Sequence, residues 1–185
     1  PSPSATRATP NRAGRAGRST RPASRSPTNP TPTSPARLCG PTWRLPHRHL
    51  AFFRYPGNAL PQRAATCSGV RLRFATDAER LRLVFEPLPE LSTVSCGNTF
   101  QFDVTVSGKL LISAPAAPGA DHVDIAGLPS GGKTLELWLP QQAPVRIHAL
   151  EIDTAAVCRI VPDRRPKWIT YGSSLTHCVR AFSPA

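Results

Sequence analysis

The chain has no apolar stretch close to the about 20 residues that a membrane-spanning helix requires. It also has no short apolar core near its N-terminus, such as signal peptides carry. Its 185 residues include no methionine and begin with Pro1, so we do not treat Pro1 as a translation start. We therefore expect no membrane contact. The compartment stays open: the cytoplasm is favoured, and secretion is an alternative if a leader precedes Pro1.

The sequence also has no pair of cysteines at the spacing of a zinc ligand pair. Its five cysteines are widely separated, at Cys39, Cys67, Cys96, Cys158 and Cys178. An odd number without ligand spacing argues against both a zinc site and a disulfide framework. We predict mostly reduced, partly buried thiols, with a disulfide between Cys67 and Cys96 as the alternative.

Two further sequence patterns suggest ligands, but the context of each argues against them. His122 lies between Asp121 and Asp124, yet three nearby polar residues on one strand are typical of a polar edge rather than a metal site. The segment 127–134 fits a phosphate-binding loop literally, but an alternating segment with a proline follows it, where phosphate binding needs a helix N-terminus. We therefore expect no metal and no cofactor.

Acidic residues are absent from residues 1–38, which contain seven arginines. This tail accounts for much of the net charge of +12. It has almost no large apolar residue, so burial cannot offset its ordering entropy and we predict disorder. An arginine-rich arm for nucleic acid is the functional alternative. Because the tail has no aromatic residue for base stacking, we expect no nucleic-acid partner.

Residues 39–155 show no helical periodicity of useful length and instead alternate between apolar and polar residues. The runs at 70–74 and 81–85 predict two adjacent strands, with Arg71, Arg73, Arg80 and Arg82 along one outer sheet face. Ser107-Gly108 predicts a tight hairpin turn, and a change of parity predicts a β-bulge near His148-Ala149. Seven or eight short strands separated by turns predict a mainly β fold, a sandwich of two sheets with jelly-roll-like topology.

The composition divides the chain into four parts. We predict a disordered tail at 1–38, a β-sandwich accessory domain at 39–157, a linker at 158–166, and the beginning of an α/β domain at 167–185. The linker assignment follows from the polar segment that ends at Pro166.

The segment 168–178 contains the clearest chemical signal. A short apolar run ends at Gly172-Ser173-Ser174, and a polar segment compatible with a helix follows. A buried strand that ends in such a turn lifts a hydroxyl out of the sheet and aims backbone N–H groups at its target. A serine of this kind still needs a base, a group that orients the base, and donors for the oxyanion.

The sequence Tyr171-Gly172-Ser173-Ser174-Leu175-Thr176 resembles the first block of the SGNH/GDSL hydrolase family. The resemblance implies that Ser174 is the nucleophile and that its backbone N–H is one oxyanion donor. Ser173 stands where the family usually has aspartate. The order of segments is similar to that of one subgroup of the family: a sandwich, the phrase Leu137-Trp138-Leu139-Pro140-Gln141, a linker and Gly-Ser-Ser. Members of this subgroup carry an N-terminal jelly-roll domain and include ester hydrolases and acyltransferases.

The other catalytic blocks of that family have no counterpart after Ser174. Its base is a histidine in a later Asp-x-x-His, and only eleven residues follow Ser174. His177 is the one nearby histidine, but it would have to fold back over the first helical turn to reach Ser174. We therefore expect His177 and Ser173 to lie at the pocket rim. We also expect the chain to be a C-terminally truncated portion of an enzyme that is inactive by itself.

Two functions remain open on the sequence alone. One is the N-terminal portion of a serine ester hydrolase or acyltransferase acting on a small ester or acyl-group substrate. The other is a non-catalytic β-sandwich that binds carbohydrate or a partner domain.

Overall fold

The computed structural model describes residues 36–45, 47–53, 59–88, 100–141 and 143–166, and the single residues Gly172, Ala181, Ser183 and Ala185. These residues form nine β-strands and two short helices. The strands are β1 (Ala36–Pro41), β2 (Arg71–Thr76), β3 (Arg80–Pro87), β4 (Phe100–Val106), β5 (Lys109–Ala116), β6 (His122–Ala126), β7 (Lys133–Trp138), β8 (Val145–Ile152) and β9 (Cys158–Ile160). A 3-10 helix (His47–Phe53) and helix α1 (Ala59–Ala65) lie between β1 and β2. Neither helix is long and apolar enough to cross a membrane.

The strands form two antiparallel sheets, which confirms the predicted sandwich. One sheet has the order β1-β8-β3-β6, and the other has the order β5-β4-β7-β2-β9. All but one of the connections between consecutive strands cross from one sheet to the other; the exception is the β4–β5 hairpin. The first eight strands therefore have the strand order of a jelly roll, and β9 extends the five-stranded sheet.

The core lies between the two sheets and is built by alternation along each strand. Apolar side chains on the inner faces are buried, as at Leu81, Leu83 and Phe85 of β3 and at Leu135 and Leu137 of β7. The rings of Phe85 and Phe102 meet across the two sheets with centroids 5.0 Å apart. Burial of these side chains at about 25 cal/mol per Å² is the main favourable term that holds the sheets together.

The prediction that residues 70–74 and 81–85 form adjacent strands on one sheet is wrong. β2 pairs with β7 and β9, whereas β3 lies in the opposite sheet between β6 and β8. The connection crosses between the sheets, because buried Ala78 packs inward and its N–H donates to Thr76 Oγ1 (3.1 Å). The four arginines are thus divided between the two outer faces of the sandwich.

The β-bulge predicted near His148-Ala149 is confirmed. On β3, Val84 pairs with Ala149 and Phe85 with Ile147, so His148 is the extra residue. This insertion explains why the buried parity of β8 changes along its length.

The structure differs from the sequence-based boundaries at both ends of the sandwich. β1 begins at Ala36, within the range assigned to the tail, and β9 (Cys158–Ile160) occupies part of the range assigned to the linker. β9 has three residues, all exposed, so it carries no alternation that a sequence pattern could reveal. Residues 1–35, which make up nearly all of the predicted tail, lie outside the described residues.

The predicted hairpin turn at Ser107-Gly108 is also confirmed. Val106 pairs with Lys109, and both turn residues have positive φ, 52° at Ser107 and 77° at Gly108. Positive φ at both central positions defines a type I′ turn, which favours Asn-Gly.

We predict that Ser107→Asn raises the free energy of unfolding by about 0.5 kcal/mol, because asparagine tolerates positive φ better than serine. Ser107→Val is the matched control and should lower it by about 1 kcal/mol, since a β-branched side chain is strained there. Urea denaturation monitored by tryptophan fluorescence measures both. Equal midpoints for the two variants would contradict this interpretation of the turn.

Candidate functional site

The outer face of the five-stranded sheet carries a cluster of charged side chains. Along β2, β4 and β7 the residues that point away from the core include Arg71, Arg73, Asp103 and Glu136. Strand register brings them together, because Arg73 pairs with Glu136 and both Arg71 and Asp103 pair with Trp138. We call this surface the charged face.

Glu136 is the centre of the charged face. Its side chain is only 8% exposed, and its Oε1 atom lies 3.3 Å from Arg73 Nε and 3.5 Å from Arg71 Nε. Arg165 donates to the same oxygen through Nη2. A carboxylate at this depth requires charged partners to offset its lost hydration, and three guanidinium groups provide them.

Residues 161–166 cross the charged face and are held there by its arginines. Arg73 Nη1 donates to the carbonyl oxygens of Val161 (3.3 Å) and Pro162 (2.8 Å). Arg71 Nη2 donates to Asp163 Oδ2 at 2.7 Å. The segment that leaves β9 is therefore fixed to the sandwich by both its backbone and its side chains.

Asp163 and Arg165 are joined by three hydrogen bonds within this segment. Arg165 donates to Asp163 through Nε (2.8 Å to Oδ1) and Nη2 (2.7 Å to Oδ2), and its backbone N–H donates to Oδ1 at 3.1 Å. These bonds from Arg165, with a smaller contribution from Arg71, hold the pKa of Asp163 well below its usual value. The pKa of Arg165 is raised, mainly by its hydrogen bonds to Asp163 and to a smaller extent by its hydrogen bond to Glu136.

Asp103 is the second buried carboxylate of the charged face. It is fully buried on β4 and accepts hydrogen bonds from Ser113 Oγ (2.7 Å) on the neighbouring strand and from Gln101 Nε2 (3.2 Å). Its other oxygen accepts from Ser183 Oγ and from the backbone N–H of Ala185 (3.2 Å). Residues close to the end of this sequence thus reach the same face that residues 161–166 cross.

Trp138 lies opposite Asp103 and two residues from Glu136 on β7. Its indole Nε1 donates to Thr105 Oγ1 at 3.2 Å, and the guanidinium carbon of Arg71 lies 4.7 Å from its ring centroid. This cation–π contact adds to the ion pairs that orient Arg71.

The predicted catalytic residues are not placed by the structure. Ser173, Ser174 and His177 lie outside the described residues, while Gly172 is described and exposed. Five residues, 167–171, separate Pro166, the last described residue of this segment, from Gly172. Ser174 as nucleophile and oxyanion donor, and Ser173 and His177 as pocket rim, stay predictions.

The residues around His122, which suggested a metal site in the sequence, form hydrogen bonds and ion pairs with their own neighbours. His122 Nδ1 lies 2.6 Å from Asp121 Oδ1, while Asp124 forms a bidentate pair with Arg82 at 2.6 and 2.9 Å. Hydrogen bonds from Arg82 lower the pKa of Asp124. Within the described ranges no group of three or more His, Cys, Asp or Glu side chains could hold a metal ion.

The segment 127–134 is a loop followed by a strand. β7 begins at Lys133, and the Lys133 ammonium donates to the carbonyl oxygens of Ala78 (2.6 Å) and Gly131 (3.2 Å). The strand predicted to follow this loop is confirmed. The lysine that would bind phosphate instead fixes the corner between β2 and β3.

Cys67 and Cys158 are both free thiols. Cys67 is buried near Thr42, whose Oγ1 lies 3.2 Å from its Sγ, and burial raises the pKa of the thiol. The alternative disulfide between Cys67 and Cys96 is therefore wrong.

Asp103 and Glu136 were not predicted from the sequence as site residues. Their signal was present, because each interrupts an apolar strand core, as in Phe102-Asp103-Val104 and Leu135-Glu136-Leu137. Because side chains alternate along a strand, an acidic residue between two buried apolar residues lies on the outer face of its sheet. The sequence pattern does not show whether other parts of the chain cover that face.

Comparison with known proteins agrees with this architecture. Residues 39–148, more than half of the chain, match the family model of the SsfX3 N-terminal domain. The chain belongs to the SsfX3 N-terminal domain family. The chain also resembles the solved structure of the salicylyl-acyltransferase SsfX3 from a tetracycline biosynthetic pathway, with 30% identity and a TM-score of 0.66.

The match to that acyltransferase covers 86% of this chain and 47% of the acyltransferase chain, so the chain spans about half the length of its relative. A GDSL-like lipase structure from Bacteroides ovatus has the same fold at 13% identity, with a TM-score of 0.50, covering 66% of this chain and 37% of that one. No curated protein sequence matches the chain. The predicted resemblance to an SGNH/GDSL group with an N-terminal domain is confirmed.

We predict that Glu136→Ala lowers the free energy of unfolding by about 2 kcal/mol, because three guanidinium groups lose their shared carboxylate. Asp124→Ala is the matched control: its pair with Arg82 is exposed, so the loss should be below about 1 kcal/mol. Urea denaturation at low salt compares them. Equal losses would show that Glu136 is not a central ion-pair partner.

A second prediction concerns pH and Asp163. Because the folded protein holds its pKa below the usual value of 3.8, its stabilising contribution is present above that value and is lost as pH falls further. The stability difference between the wild type and Asp163→Asn should therefore be largest near neutral pH and shrink in acid. Urea midpoints across this pH range measure it, and a difference that grows in acid would contradict the interpretation.

Proposed function

We propose that this chain is the N-terminal portion of a serine ester hydrolase or acyltransferase of the SGNH/GDSL type, with Ser174 as the acyl-accepting nucleophile. One observation carries the proposal. The likeness to the acyltransferase covers 86% of the chain, which is more than the sandwich at 36–160 could account for. The likeness therefore extends beyond the sandwich, and the Gly172-Ser173-Ser174 motif follows the sandwich in the sequence, as a first SGNH/GDSL block would.

The chemistry follows from what a serine in such a turn can do. Ser174 Oγ attacks the acyl carbonyl carbon as a base accepts its proton, and the Ser174 backbone N–H donates to the developing oxyanion. Collapse of the tetrahedral intermediate breaks the ester bond, and the proton passes to the departing alkoxide. Water or an acceptor hydroxyl then takes the acyl group from the serine.

The base in this proposal lies outside the 185 residues. The family supplies it from a later Asp-x-x-His, and none of the histidines in the described strands and loops lies on the charged face. We expect the chain by itself to have little or no ester hydrolase activity. The relative transfers a salicylyl group; for this chain we propose acyl chemistry without assigning that acyl group.

A chimera tests the nucleophile. Residues 1–185 would be joined to the remaining C-terminal part of the SsfX3 acyltransferase, and hydrolysis of p-nitrophenyl acetate measured. Ser174→Ala should lower kcat by about a thousandfold or more, because alanine has no hydroxyl on which the acyl-enzyme can form. Ser130→Ala, in an exposed loop of the sandwich, is the matched control and should leave the rate unchanged.

The outcome that contradicts the assignment is an equal rate for the wild-type chimera and its Ser174→Ala variant. A folded chimera that neither hydrolyses the ester nor gains the mass of a fluorophosphonate probe at Ser174 would instead favour a non-catalytic binding module. Sequencing the coding DNA past codon 185 is an independent test, since the proposal expects an Asp-x-x-His about 150–200 residues further on, the length of a typical domain.

A further inference from the structure

A cleft opens on the outer face of the five-stranded sheet, beside the charged face. Its middle is Ala75 of β2, which alternates with buried residues and therefore lies on the outer face. Strand register places Thr134 of β7 on one side of Ala75 and Arg159 of β9 on the other. The cleft has a volume of about 600 Å³, within the range of about 300–1,000 Å³ that is typical of small-molecule sites.

We propose that this cleft binds a small molecule that carries one carboxylate and several hydroxyl groups, and that Arg159 binds the carboxylate. The site goes beyond the proposed function, because it is formed by the sandwich strands and does not depend on Ser174.

The first argument is the state of Arg159. Three other arginines on this outer face pair with Glu136. Arg159 is exposed, and within the described part of the chain no carboxylate forms an ion pair with it. A guanidinium has five N–H donors in a planar fork, which matches the two oxygens of a carboxylate. Arg159 therefore has both the charge and the geometry to bind a carboxylate in the cleft.

The second argument is the charge of the cleft. The Lys133 ammonium donates to two backbone carbonyl oxygens, which leaves one of its three N–H groups for a ligand. Asp77 also lines the cleft, and its Oδ1 accepts from the N–H of Val157 at 2.7 Å. Among the described lining residues, Lys133 and Arg159 against Asp77 give a net charge of +1. A cleft with this charge favours a monoanion.

The third argument concerns the hydroxyl groups of the ligand. Thr134 and Ser107 line the cleft on the side of Ala75 that is opposite Arg159. Each hydroxyl can donate and accept, so together they can pair with ligand hydroxyl groups. An apolar carboxylate would remove these side chains from water without replacing their hydrogen bonds. A hydroxylated acid, such as a sugar acid, therefore fits the cleft better than an apolar one.

The test is titration of the 185-residue protein with sodium D-glucuronate, followed by the amide chemical shifts in NMR spectra. D-Glucose is the matched probe, because it has the same ring with a hydroxymethyl group in place of the carboxylate. NaCl keeps the ionic strength constant. D-Glucuronate should shift the amides of Ala75 and Thr134 and saturate with a Kd of about 1 mM or lower. D-Glucose should bind at least about tenfold more weakly, since it cannot pair with Arg159.

Two variants test the residues of the cleft. Arg159→Gln should weaken D-glucuronate binding at least about tenfold. The matched control is Arg80→Gln, which removes the same charge from the outer face of the opposite sheet and should leave the affinity unchanged. Ala75→Leu should abolish binding without changing the charge, because the larger side chain fills the cleft. Its urea midpoint shows whether that variant is folded, and the Arg159→Gln comparison decides the proposal if it is not.

Three results would each overturn the proposal: no saturable shifts with D-glucuronate, equal affinity for D-glucuronate and D-glucose, or equal affinity of the wild type and the Arg159→Gln variant. Saturable binding that is lost in Arg159→Gln and retained in Arg80→Gln would support it. None of these measurements uses the Ser174 hydroxyl, so this site and the proposed function can fail separately.

Discussion

The burial of the Glu136 carboxylate is the constraint on which the charged face depends. A carboxylate that is only 8% exposed loses most of its hydration, and its position on an outer sheet surface gives it no core partner. Arg71 and Arg73 come from the neighbouring strand, and Arg165 comes from the chain beyond β9. The sheet therefore supplies only part of the compensation, and the segment that crosses the face supplies the rest.

The polar character of this contact matters for geometry. An apolar surface between a sheet and a crossing segment would tolerate small shifts in register, because hydrophobic burial is non-directional. Hydrogen bonds from guanidinium groups to carboxylate and carbonyl oxygens have preferred directions and distances. Arg73 bonded to two consecutive carbonyls and Arg165 bonded to two carboxylates thus favour one register of the crossing segment over its neighbours.

Alternation of apolar residues was enough to predict the sandwich, the β4–β5 turn and the bulge at His148, because each depends on local periodicity. The same alternation could not tell which sheet a strand joins: β2 and β3 carry equivalent patterns but lie in opposite sheets. That choice is made by the buried corner at Ala78 and by Asp153, whose Oδ2 accepts from the N–H groups of Glu79 and Arg80. Asp153 lies about 70 residues further along the chain, so no local pattern reveals it.

The candidate site shows the same division between local and long-range information. The Gly172-Ser173-Ser174 motif is local, and it identified a candidate nucleophile from the sequence alone. The charged face depends on pairings between residues far apart, such as Arg71 with Asp163 and Asp103 with Ser183, and had to be found in the structure. In the sequence the motif lies between residues 161–163 and Ser183, whose contacts with the charged face are all long-range. Local patterns thus indicate strands, turns and candidate chemistry, whereas only the strand register brings the charged partners of this face together.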